Sequence, residues 1–227
     1  MRRNVFTILT FVMLTLNSCI GDDIIEDRVD PVVRISNAID TIENGTSYQF
    51  EASFFDQVGK EKMIDLNWST SDGNNISISE TGLATALQTG SSLISVDGLA
   101  PSGEQVSDEI LVTVGDETVV STSERIGTLQ TTSSYELMGD FVLKEEGGIL
   151  KLSFSDNYKA STALPGLYIY LTNNPTTNSG AYEIGAVTDF EGAHSYELPN
   201  SISLTDYEYV LYFCKPFNVK VGDGLFN

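Results

Sequence analysis

The sequence predicts an all-β protein built as two consecutive β-sandwiches. Three features of the 227-residue chain predict it. Beyond the leader, apolar and polar residues alternate over short runs, the period-two signature of half-buried strands. Ten Tyr and eleven Phe supply side chains that suit a pleated surface. Nineteen Gly and six Pro interrupt the chain at the short spacing of a sandwich. The densest strand-forming stretch is Tyr209 to Val221, read as two strands joined at Lys215-Pro216. In the first, Tyr209, Leu211 and Phe213 share one face, and Val210, Tyr212 and Cys214 share the other. In the second, Phe217, Val219 and Val221 alternate with Asn218 and Lys220. The C-terminal half is expected to close around this pair.

The first 30 residues stand apart. Arg2 and Arg3 precede an apolar run, Val5 to Leu16. That run is shorter than the roughly 20 residues of a membrane span and reads as a secretory leader. It ends in Leu16-Asn17-Ser18-Cys19, which resembles the lipobox of bacterial lipoproteins, with Asn17 departing from its usual pattern. The resemblance implies cleavage after residue 18 and lipidation of Cys19; an ordinary leader with an incidental Cys19 is the alternative. Three acyl chains anchor a protein where one gives only marginal membrane binding. Asp22-Asp23 resembles the acidic export signal of surface lipoproteins of Bacteroidota. This implies an outer-membrane, lipid-anchored chain exposed at the cell surface; a merely soluble tether is the alternative. Residues 19–30 hold five acids and no aromatic residue, the composition of a flexible, self-repelling tether.

Loss of residues 1–18 leaves 10 basic against 32 acidic residues, a formal charge of −22. Such acidity keeps molecules apart. With no basic cluster after residue 3, phosphate-backbone binding has no electrostatic footing, and nucleic acid is not an expected partner.

Residues 31–115 are expected to form the first sandwich. Val32 to Ile35 opens it, and Asn44-Gly45 turns it. Ser47 to Phe55 reads as one strand with Tyr48, Phe50, Ala52 and Phe54 on one side. Strands follow at Ile64 to Trp68, Ile76 to Ile78, Leu83 to Leu87, Ser92 to Val96 and Glu109 to Val114, with a long loop from Asp97 to Ser107. Trp68-Ser69-Thr70-Ser71-Asp72, Thr81-Gly82-Leu83-Ala84-Thr85 and Gly90 resemble the hallmarks of the group 2 bacterial immunoglobulin-like domain. That family implies a spacer or adhesin module, with Trp68 in its core. Residues 116–123 are polar and read as a linker between independent units.

Residues 124–227 are expected to form the second sandwich. Gly127 to Leu129, Asp140 to Lys144, Ile149 to Phe154, Leu167 to Thr172, Tyr182 to Val187, Ser195 to Leu198 and Tyr207 to Phe213 read as strands. Gly147-Gly148 makes a hairpin turn, and Leu150, Leu152 and Phe154 point inward. Several segments, in order, resemble the DM-thirteen (electron-transfer DM-thirteen) domain, which is jelly-roll-like here. They are Leu152-Ser153-Phe154, Pro165 to Leu171, Gly192 to Pro199, and Phe213-Cys214-Lys215-Pro216-Phe217-Asn218-Val219 with a Gly-rich tail at Gly222 to Leu225. Phe213 stands where the family commonly has Trp, and Ser134-Tyr135 where it commonly has His. The resemblance implies an extracellular module, sometimes found beside haem-linked redox domains, whose central cysteine, here Cys214, is a candidate redox residue.

The chemistry legible in the residues is sparse. Metal sites need clusters of His, Cys or carboxylate, and the chain has one His and two Cys. No metal or cofactor is expected within the chain, and any haem would come only through a partner. Axial ligation by His194 or Met138 has no spacing to support it, and His194 is expected in an exposed turn. Asp72-Gly73-Asn74 and Asp223-Gly224 read as turns, not calcium loops. No nucleophile elbow, phosphate loop or zinc-protease motif is present, so no catalytic residue is assigned. Cys214 carries two readings, a buried small hydrophobe and a redox thiol. The leading expectation is a non-enzymatic surface module binding an extracellular protein or glycan. The alternative is an electron-transfer module using Cys214 and a redox partner.

Overall fold

The computed structural model describes residues 28–120 and 124–227. Cys19, the leader and Ser121 to Ser123 lie outside the described residues. The fold is all-β, and its apolar residues collect in two large cores, one from residues 33–114 and one from residues 129–226.

The first core is enclosed by eleven short strands. They are β1 (Val32–Ile35), β2 (Ile39–Glu43), β3 (Ser47–Gln49), β4 (Ala52–Phe55), β5 (Glu61–Lys62), β6 (Leu66–Thr70), β7 (Ile76–Ile78), β8 (Leu83–Ala86), β9 (Gly90–Leu99), β10 (Gln105–Gly115) and β11 (Val119–Val120). Three sheets result, ordered β1-β4-β5, β11-β2-β10-β9-β6 and β3-β8-β7. Alternation sets the faces. In β9, Ile94 and Val96 are buried while Leu93 points outward opposite the exposed Leu111 of β10. Trp68 is half-buried and stacks on Phe50 with ring centroids 6.0 Å apart.

Three expectations are corrected here. Ser47 to Phe55 is two strands on different sheets, because β3 pairs with β8 and β4 with β1. The break falls where the Phe50 amide donates to the Gly82 carbonyl and the Glu51 amide to Asn37 Oδ1. The long loop from Asp97 to Ser107 is instead a continuous hairpin paired out to Leu99–Gln105. It closes on a tight turn in which the Ala100 amide donates to the Glu104 carbonyl. The polar stretch after residue 115 contains β11, which pairs with β2 and returns the chain along the first sandwich.

The second core is wrapped by β12 (Arg125–Thr131), β13 (Leu137–Glu146), β14 (Ile149–Phe154), β15 (Lys159–Ala160), β16 (Leu167–Thr172), β17 (Tyr182–Ala186), β18 (His194–Glu197), β19 (Tyr209–Cys214) and β20 (Val219–Leu225). All nine belong to one sheet, ordered β17-β16-β19-β20-β12-β13-β14-β18, with β15 beside β13. The sheet coils until its halves face each other, since Leu152 of β14 and Ile169 of β16 share one core. The β13–β14 hairpin turns on Gly147 and Gly148, whose φ values of 63° and 79° glycine adopts without steric cost in a two-residue loop. On β19, Val210, Tyr212 and Cys214 face this core. Leu211 and Phe213 face a small outer cluster with Tyr170.

The second strand of the Tyr209–Val221 pair also needs correction. Phe217 is not in it but ends a 3₁₀ turn, Lys215–Phe217, and is 65% exposed. Asn218 follows in the left-handed region at φ 52°. Gly222 to Leu225 is no tail: it completes β20, hydrogen-bonded between β19 and β12. Asp223-Gly224 is therefore strand, not turn.

Candidate functional site

The two cores meet at a polar joint. Arg34 interrupts the apolar β1, and every hydrogen bond and ion pair of its guanidinium goes to the second unit. Its Nε lies 2.9 Å from Glu208 Oε1, Nη1 donates to the Thr205 carbonyl at 2.9 Å, and Nη2 donates to Asn173 Oδ1 at 2.9 Å. The planar group also covers the Phe55 ring at 4.5 Å. Burial pulls its pKa below the ordinary value, while Glu208 pulls it up. Arg125 reaches the same Glu208 oxygen from β12 at 3.3 Å and donates to the Tyr207 carbonyl at 2.7 Å. Thr205 Oγ1 donates across to the Ser36 carbonyl. A fork of donors in fixed geometry suits this role better than a lysine would. Beside the joint lies a cleft of about 740 Å³, and Arg28, Val29 and Asp30 line it together with Asn173 and Tyr209. Residues 28–30 therefore lie at the waist between the two cores, beside the joint.

From the waist, β19 carries the chain away from the joint. Tyr209 to Cys214 spans five steps of about 3.3 Å, roughly 17 Å. At the far pole stand the 3₁₀ turn and the exposed Phe217. The same pole holds a second cleft of about 410 Å³ lined by Glu136, Lys159, Thr162, Phe190 and Glu191 among others.

Cys214 is fully buried in the second core, paired in the sheet with Leu167 and Val219. The neighbouring cation does not serve it. Lys215 Nζ bonds both Glu183 oxygens, at 2.7 and 3.0 Å, and sits 4.6 Å from the centre of the Tyr168 ring. That hydrogen bond lowers the Glu183 pKa and raises that of Lys215. In the native protein Cys214 should accept a thiol reagent far more slowly than in urea-unfolded protein. Cys214→Ser should cost about 1–3 kcal/mol by placing a hydroxyl in an apolar site, and Cys214→Ala should cost less. Native labelling at the unfolded rate, together with a fully stable Cys214→Ser variant, would overturn this.

No family model matches this chain, and no curated protein matches it.

His194 differs from expectation. It lies on β18, facing inward, stacked on Phe154 at 4.9 Å and edge-on to Tyr158 at 4.5 Å. The aromatic core of β14 draws it in, and its Nδ1 lies 2.9 Å from the Gly192 carbonyl. Met138 is 46% exposed on the outer face of β13, so the structure does not bring it to His194. Asp72 Oδ1 accepts from the Asn74 amide, a turn as expected. Among the described residues, no group of three or more His, Cys, Asp or Glu could hold a metal ion. Sequence reasoning missed Arg34, Arg125 and Glu208. One signal was available: an arginine inside an apolar strand of an acidic chain needs a partner.

Proposed function

We propose that this chain is a lipid-anchored surface protein that binds an extracellular protein or glycan without catalysis. In this reading residues 31–115 form an immunoglobulin-like module and residues 124–227 a DM-thirteen-like module, held at the outer membrane through acylated Cys19. One observation carries the binding assignment. A large aromatic, Phe217, is presented on a 3₁₀ turn at the pole opposite the waist where residues 28–30 lie. Exposed aromatics of low conformational freedom make effective anchors in interfaces. The tether joins beside the joint, at the end of the second module away from Phe217. Burial of Cys214 weighs against the electron-transfer alternative.

Two variants test this. Cys19→Ala should move the protein from the membrane fraction to the soluble fraction. The soluble protein should then be probed on an array of immobilised glycans and extracellular matrix proteins, with Phe217→Ser expected to lose any signal at least tenfold. If Cys19→Ala still partitions with membranes like the wild type, the anchor is wrong. If Phe217→Ser binds the array as the parent does, the pole is not the binding surface.

A further inference from the structure

Four polar atoms of the second unit lie buried, without a hydrogen-bond partner, in one cluster of rings. They are the hydroxyls of Tyr158, Tyr196 and Tyr212 and the Nε2 of His194. The cluster is built around Phe154. The His194 ring stacks on it, and the centroids of Tyr158, Tyr196 and Tyr212 lie 5.0, 6.2 and 6.3 Å away. Tyr158 and Tyr212 are wholly inaccessible. Their hydroxyls are near enough to perturb each other but lack the geometry of a formed bond.

The histidine is oriented from its other side. Nδ1 faces the Gly192 carbonyl at 2.9 Å. A carbonyl can only accept, so Nδ1 carries a proton, which leaves Nε2 as the ring's unpartnered polar atom. The Tyr158 and Tyr196 rings stand edge-on to the imidazole, with centroids 4.5 and 5.5 Å away, and each phenol can both donate and accept.

Buried polar groups are almost always bonded, and each bare one carries an uncompensated desolvation cost. Phenylalanines would fill the same space without that cost. The missing partner must suit three phenol hydroxyls, each of which can donate and accept. It must also be small, both donor and acceptor, and content with two to four bonds, which describes water. We propose that this cluster is an internal hydration site, holding one or two permanent waters that bridge His194 Nε2 to the tyrosine hydroxyls beneath the pole. Lys159 and Glu191, which line the 410 Å³ cleft, form a bridge beside it, where the Ala160 amide donates to the Phe190 carbonyl and the Gly192 amide to the Tyr158 carbonyl.

The sign of a stability change tests this. Tyr196→Phe and Tyr212→Phe remove only a hydroxyl, so both variants of the full chain should fold. If water is bound, each loses a bridging bond, and the unfolding equilibrium constant should rise roughly five- to tenfold, read from urea midpoints. If the cluster is dry, each variant deletes a bare hydroxyl, and the midpoint should stay or rise, which overturns the proposal. A high-resolution crystal structure is the second measurement. Ordered solvent within hydrogen-bond reach of His194 Nε2 is expected, and a dry cluster overturns the proposal whatever the midpoints.

Discussion

Arg34→Ala is expected to uncouple the two units. Wild-type unfolding followed by calorimetry should give one transition, and the variant should give two, with about 2–4 kcal/mol lost overall. The estimate begins from the roughly 3–5 kcal/mol lost when one partner of a buried pair is removed. It is reduced because the Arg34 and Glu208 side chains keep 12% and 26% of their exposure and Arg125 still meets Glu208. Loss of the bonds to the Thr205 carbonyl and Asn173 Oδ1 adds to the effect. Arg34→Lys should rescue little, because an ammonium cannot span the carboxylate, the carbonyl and the amide together. Proteolysis between residues 116 and 123 should quicken in the alanine variant. An unchanged single transition in Arg34→Ala would show that the joint carries no coupling.

Gly222→Ala is expected to abolish stable packing of the second unit, at about 3 kcal/mol or more, the upper end of overpacking costs. A Cβ at this position would overlap the Gln130 carbonyl oxygen and stand 2.6 Å from Leu137 Cδ2 and 3.0 Å from Thr131 Cα. Two of those atoms belong to the backbone of β12, the strand paired with β20, so no side-chain rotation relieves the contact. The same lane continues at Gly127 and Gly224, where an added Cβ would press on the Phe141 ring. β20 can therefore cross β12 closely only because Gly222 and Gly224 leave one face of the strand bare. The urea midpoint of the second unit reads the effect; a midpoint equal to wild type would mean that β20 lies farther from β12 than described.

Local pattern made much of the fold legible. Leu150, Leu152 and Phe154 face inward, as do Val210, Tyr212 and Cys214, because alternation along a strand fixes which side chains share a face, whatever the strand packs against. The Gly147-Gly148 turn was legible for the same reason, since its φ values concern two residues alone. The candidate site was legible only where burial follows from such a pattern, as for Cys214.

What the sequence by itself determined was thus the strands, their faces and their tight turns, all set within a few residues. Only the tertiary structure decided that Ser47 to Phe55 divides between two sheets, that the glycine-rich end is an inner strand and that His194 enters an aromatic core. It alone decided that Arg34 closes on Glu208 from the other end of the chain. Each of these depends on what lies across a sheet or a joint, and a strand's own alternation is the same whichever partner it meets.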